Sequence, residues 1–462
     1  MNKYAQKHFR FQQHIDQERH CRPTLRKRKT LMSTQKCRQG CLHTLFCFFL
    51  LVLRRLHLIS RNFYRRYCSC GLRLVAISFN HDSASLSGDA MNIRKNFSQT
   101  VAVPEWTTGE TLPAESPAAY AIKETQGNTI TIKAKFTVSS NSVTKAQVRA
   151  RGGGVLGQLD PQTITFANGV SVPEFVSFEL RDHLIGADGI NREDITWDWE
   201  FRCCGGCKWE PLETTRHRIY VVLEEPNLPW KQQPASDTQI PWTDALDYAC
   251  VWAAGQQNEV DAATAITKQI NANIGLVYDN AFGASFYETP PLYDKFELTQ
   301  FLAYLTNGTG LGNIVNCTDC ATINTTFSNL VGCDLHASRM GSNFGLTPFR
   351  GIGSAVFACP GFGCGFSYHE VAWTGSHGNA DPLFDACLRV DSDNNPWAPS
   401  HSEIFCVNIV FSTNPGAPLP LAVPFNAQSY KERLCTNDAF GIGSCNPIGP
   451  WPNSSNGRRP VK

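Results

Sequence analysis

From Thr129 the chain alternates apolar and polar residues, as in Ile130-Thr131-Ile132-Lys133-Ala134-Lys135-Phe136-Thr137-Val138. This is the period-two pattern of a strand with one buried face. Runs of the same kind follow at 146–150, 163–166, 175–180, 195–201 and 217–223, separated by Gly-rich or Asp/Asn-rich turns. Several short strands with regular turn signals predict an antiparallel β-sandwich over residues 116–229. Trp197, Trp199 and Phe201 fall on one side of their strand. The stretch carrying Pro226, Pro229, Pro234 and Pro241 reads as a linker, its Pro-rich part at 230–241.

Beyond Pro241 the period changes. Thr243 or Asp244 can cap a helix through Ala245, Tyr248, Ala249, Trp252 and Ala253. A second helix is predicted over 260–274, where Ala263, Ile266, Ile270 and Ile274 share a face, and a third over 298–305, stopped by Asn307-Gly308. A fourth begins near Cys317, with Ala321, Phe327, Leu330 and Val331 on a broad buried face and Gly332 placed to end it. The second domain is expected over 242–435. From Asn414 the text is rich in Pro, Asn and Gly apart from 430–435, so a tail at 436–462 is expected to wrap the domain edge and then become disordered.

Composition agrees with a folded, strand-rich protein, at 42% hydrophobic and 18% charged residues. The net charge of +2 hides an asymmetry: residues 1–90 hold 17 of the 42 Lys and Arg but 4 of the 40 Asp and Glu. The remainder is acidic, which argues against nucleic-acid binding. Within the basic part, the apolar run at 45–53 stops at Arg54-Arg55, well short of the roughly 20 residues a membrane-spanning helix needs. It also sits too far from the start for an export signal. Residues 1–115 are therefore read as a basic extension and lead-in, disordered or foreign to the natural protein, with Met91 as a start; a cytoplasmic location is expected.

Candidate chemistry centres on Cys317. At a helix start, the dipole and free amide hydrogens favour a thiolate, and a first-turn amide can receive a developing oxyanion. Cys317-Thr318-Asp319-Cys320-Ala321, with Gly332 closing the helix, resembles the transglutaminase-like signature Cys-x-Asp-x-Ala. Two further segments resemble that superfamily in the same order: Phe366-Ser367-Tyr368-His369-Glu370-Val371-Ala372-Trp373 and Asp381-Pro382-Leu383-Phe384-Asp385-Ala386. The resemblance implies an α+β fold, with a helix-borne Cys packed on an antiparallel sheet after an all-β domain. It also implies a triad of Cys317, His369 and Asp385. In such a triad His369 takes the thiol proton, Asp385 fixes the imidazole tautomer, and Cys317 forms a thioester that water or an amine resolves. The implied substrates are peptide or glutamine amides of a protein or peptide, in hydrolysis or cross-linking, and no cofactor or metal is called for. Asn316 replaces the frequent Gly, Cys320 a bulky residue, and the text after Gly332 lacks the usual Ile-Pro-Ala-Arg. Asn313, Asn316 and Trp252 are candidates for the second oxyanion donor.

Other readings compete. Cys317-x-x-Cys320 at a helix start is also a thiol-disulfide arrangement, and with Cys359 and Cys364 it makes a four-thiolate zinc set. Cys203, Cys204 and Cys207 with His217 make a weaker zinc set, against a thiol-rich hairpin tip. A binding protein keeping the fold without the chemistry is a third class. His336, His377 and His401 read as surface or satisfied core, His377 in a hairpin loop, and Glu370 and Glu403 as solvated. The run 357–366 either lines a cleft beside His369 or is a tight loop. Thirteen cysteines follow residue 90, so at least one is unpaired. Sequons at Asn307, Asn316 and Asn324 surround the nucleophile, and a glycan on Asn316 would obstruct it.

Overall fold

Alternating burial builds the first half. In the computed structural model, residues 70–79 and 90–462 are described, apart from 127, 181–182, 204–207, 235, 289, 392–402, 414–428 and 437. The basic run, the apolar run at 45–53, Cys204, Cys207 and His401 lie outside the described residues. Strands β1 (Leu72–Ser78), β2 (Trp106–Thr107), β3 (Pro117–Ala121), β4 (Ile130–Val138), β5 (Lys145–Gly152), β6 (Leu159–Ala167), β7 (Val170–Leu180), β8 (Asn191–Arg202) and β9 (Glu210–Val222) form one sheet. Its order is β2-β1-β4-β7-β6-β5-β8-β9-β3, antiparallel except for the parallel β3–β9 pair. β4 buries every second residue, Ile130 to Val138, as its sequence period requires.

The expected sandwich is thus one hydrogen-bonded sheet curled around its core. Phe136, Phe178, Trp197 and Trp199 fill that core with edge-to-face ring contacts. β1 lies inside the stretch that sequence pattern assigns to the N-terminal extension. Leu72, Leu74 and Ile77 are buried, and Cys70 is disulfide-bonded to Cys203. The boundaries at 90 and 115 therefore cut through this sheet; Cys203 is taken by Cys70 and is no zinc ligand.

The second half carries helices α1 (Thr243–Trp252), α2 (Glu259–Asn273), α3 (Leu298–Asn307) and α4 (Cys317–Leu330). Short strands β10 (Val277–Tyr278) and β11 (Ile314–Val315) pair in parallel just before α4. β12 (His336–Met340), β13 (Phe344–Gly345), β14 (Arg350–Gly351), β15 (Gly365–Phe366), β16 (His369–Trp373), β17 (Pro382–Asp391) and β18 (Glu403–Val410) follow, then the helical turn α5 (Tyr430–Leu434) and β19 (Pro447–Gly449). The main sheet runs β14-β17-β16-β12-β19, with β18 on the other edge of β17. Mostly sheet with a few segregated helices, the chain has an α+β character. α4 is buried along its whole length against β16, β17 and α2.

Residues 230–241 do not behave as a free linker. Trp230 is buried and its indole donates to the Thr326 carbonyl of α4 at 2.9 Å, while Gln239 bonds the Val461 backbone. α4 stops where it meets the first sheet: Gly332 has φ +99°, and a Cβ there would sit 2.7 Å from the Glu224 nitrogen. The chain end is also built in. β19 pairs with β12, and Arg459 and Val461 are buried, so the expected disorder does not extend to these residues.

Candidate active site

A reciprocal cap fixes the first residue of α4. Asn316 Oδ1 accepts from the Asp319 amide at 3.0 Å, and Asp319 Oδ2 accepts from the Asn316 amide at 3.0 Å. Asp319 also accepts from Ser285 Oγ at 2.7 Å and from the Phe286 and Tyr287 amides at 3.0 and 2.9 Å. Burial pushes its pKa up to about 6 against the lowering effect of those donors. Asp319 is therefore a clamp between the helix start and the 285–287 loop. Cys317 occupies the first helical position, where backbone amides have no intrahelical acceptor.

The histidine and aspartate come from neighbouring strands. β16 pairs with β17 at Ala372–Phe384, and the β17–β18 register shifts on either side of Asp385. His369 Nε2 lies 3.0 Å from Asp385 Oδ2, both residues almost wholly buried. Tyr430 Oη donates to the same oxygen at 2.6 Å, and the Cys387 and Leu388 amides donate to Oδ1 at 2.7 and 3.2 Å. The imidazole is stacked between Phe366 and Tyr430, each within 14° of parallel. Nε2 faces Asp385 and Nδ1 has no formed hydrogen bond; in the neutral ring that donates through Nε2, Nδ1 carries the lone pair. Burial lowers the pKa of His369, but the charge and hydrogen bond of Asp385, then the Cys317 side chain, outweigh it and raise the value to about 10. The Cys317 side chain is thus close enough to the ring to act on its charge.

Cys317 is 6% exposed, and Tyr278, Tyr293 and Tyr368 lie within electrostatic reach of it. Tyr278 lies edge-on to Phe349, which meets Phe366. A cavity of about 200 Å³ beside Tyr278 is lined by Phe349, Ile352, Val356, Ala358 and Cys359. The 357–366 run is thus a loop, closed by the Cys359–Cys364 disulfide, whose base lines this cavity. Tyr293 stacks on Trp451, and Tyr368 meets the same indole edge-on. A larger cavity of about 770 Å³, bordered by Phe97, Trp242, Asp244 and Tyr248, contains none of these residues.

No family model matches the chain, and no curated protein matches it. The crystal structure of red sea bream transglutaminase is similar at a TM-score of 0.31 and 9% identity, over 61% of this chain and 50% of that one. The chain spans about half the length of that protein.

Several expectations change. Cys359 and Cys364 are bonded to each other, so they complete no zinc set with Cys317 and Cys320. Among the described residues, no group of three or more His, Cys, Asp or Glu is placed to hold a metal ion. His217 sits between Ser116 and Thr215 hydroxyls, and burial lowers its pKa to about 3. Cys320 is fully buried beside Cys387 and is not bonded to Cys317. Glu370 is not solvated: it is fully buried, bound to Arg459 and to the Trp451 indole. Glu403 is paired with Arg350 and Arg389. His336 is bound to the Asn456 carbonyl and Arg458, and His377 lies in the β16–β17 loop. Asn316 and Asn324 are buried and hydrogen-bonded internally, so neither can receive a glycan in the folded chain, whereas Asn307 is exposed.

The three oxyanion candidates are also engaged elsewhere. Asn313 donates to the Gly275 carbonyl, Asn316 to the Gly283 carbonyl, and Trp252 packs on Phe327, about 15 Å along the helix from Cys317 at 1.5 Å per residue. Tyr430, Tyr368 and Arg459 escaped sequence reasoning. Only the isolated 430–435 run in a Pro-rich stretch hinted at the first. Tyr430→Phe removes a hydrogen bond to a buried carboxylate and is expected to cost about 1.5–3 kcal/mol, seen as a lower thermal midpoint.

Proposed function

We propose that this chain is a thiol-dependent acyl-transfer enzyme acting on peptide or glutamine amides. The observation that carries the reading is an imidazole held through Nε2 by a four-donor carboxylate. Its free Nδ1 remains available to a cysteine at the first position of a helix. The thiol proton passes to Nδ1 of His369, where a ring with its pKa raised to about 10 holds it, and the resulting Cys317 thiolate attacks the carbonyl carbon. The imidazolium, stabilised by Asp385, returns that proton to the leaving amine as the C–N bond breaks. The resulting thioester is released to water, giving a peptidase or amidase, or to an amine, giving a cross-link. The motif order, Cys-x-Asp-x-Ala then His then Asp, supports the same reading, and Asp319 serves in it as a positioning group.

Iodoacetamide labelling mapped by mass spectrometry tests this. Burial pushes the thiols of Cys250, Cys320, Cys333, Cys387, Cys406 and Cys435 up, away from the reactive form. Among the described thiols, Cys317 is expected to label first, and more slowly in His369→Ala. Uniform labelling, or an unchanged rate in that variant, would count against the enzyme.

A further inference from the structure

Acyl transfer requires donors for the oxygen that becomes an anion, and α4 itself offers only its first-turn amides. Tyr368 immediately precedes His369, so its backbone is anchored by the start of β16. Its Oη lies 3.1 Å from Oγ1 of Thr318, the residue after Cys317. Tyr293 stands in the same cluster, and both phenols lie within electrostatic reach of Cys317. Trp451 fixes the two rings, stacked on Tyr293 at 4.6 Å and edge-on to Tyr368 at 5.3 Å. Trp451 is itself held by Glu370 through its indole N–H at 3.0 Å and by the Arg339 guanidinium 3.9 Å above its ring. A half-buried O–H immobilised against the residue next to the nucleophile, in the first turn of α4, is a preorganised donor.

We propose that Tyr368 is a catalytic residue whose hydroxyl, with a first-turn amide of α4, receives the oxyanion formed when Cys317 attacks a carboxamide or ester carbonyl. The inference rests on the acyl-transfer reading. As the C–S bond forms, the carbonyl π pair moves onto oxygen and is stabilised by the Tyr368 O–H. Its return to carbon expels the leaving group, which takes the proton held on His369. The Thr318 hydroxyl keeps the phenol aimed while no substrate is bound.

The test compares two reactions of Cys317 in the full chain. Alkylation by iodoacetamide forms no oxyanion, whereas acylation by p-nitrophenyl acetate does. Tyr368→Phe is expected to slow acylation about 10²–10³-fold and to leave alkylation within about threefold. Acylation of the variant at the wild-type rate would overturn the assignment, as would an equal loss in both reactions, the mark of a structural role. Wild-type Cys317 that is alkylated selectively but never acylated overturns it too. Absence of selective alkylation instead removes the acyl-transfer reading beneath it.

Discussion

Replacing Arg459 with methionine is expected to destabilise the protein by at least about 3–5 kcal/mol, the usual penalty for breaking a buried ion pair by removing one partner. Arg459 is fully buried, with Nε 2.7 Å from Glu288, one terminal nitrogen 2.8 Å from Glu370 and the other 2.6 Å from Thr322. It joins three elements: the loop that clamps Asp319, the strand that carries His369, and α4. Without it, two carboxylates remain in a site closed to water. Burial already raises the pKa of Glu288 well above the ordinary value, so the folded state binds its proton more tightly than the unfolded state does. Stability from this group rises as pH falls through the folded value. The methionine variant is therefore expected to lose most at pH 8 and to recover part of its thermal midpoint near pH 5. A loss equal at both pH values would refute the charge argument.

Asp385→Asn is expected to lower acylation of Cys317 by about 10⁴-fold, the scale found when a triad carboxylate becomes an amide that selects the wrong tautomer. An amide can donate to Nε2 and leave the proton on Nδ1, facing the thiol, where it blocks the base. The same substitution changes the pH dependence of stability. In the wild type the folded pKa of His369, about 10, exceeds its ordinary value of 6.5. Its stabilising contribution is complete below pH 6.5 and is lost as pH rises to about 10. In Asp385→Asn the wholly buried ring has no counter-charge, so desolvation lowers its pKa and stability falls on the acid side instead. Thermal midpoints measured from pH 5 to 10 separate the two. Parallel curves would show that Asp385 does not hold the imidazole as a cation.

Particular residues show what pattern could and could not carry. Ile130 to Val138 declared a strand because burial of one face of a sheet has period two, and every even-numbered residue there is buried. α4 was legible at its end through the Gly332 stop, which depends on backbone groups within a few residues, whereas its Asn316–Asp319 cap, equally local, emerged only in the structure. β1 was misplaced because composition averaged over ninety residues hid a seven-residue strand. Glu370 was misjudged because a carboxylate reads as solvated unless its partner is visible, and Arg459 is 89 positions away.

Local periodicity by itself determined strands β4 to β9 and the helices of the second half, while the candidates Cys317, His369 and Asp385, in that order, came from the resemblance to the transglutaminase-like signature. Tertiary structure alone decided that the first sheet curls as one piece through β1 and that the Pro-rich stretch and chain end are packed into the second half. It also decided which ring nitrogen meets Asp385 and that Tyr430, Tyr368 and Arg459 converge on the same few side chains. The reason is range. Caps, stops and periods arise from interactions within one or two turns, whereas a buried charge or a shared hydrogen bond is satisfied by whichever distant segment the fold brings within about 3 Å.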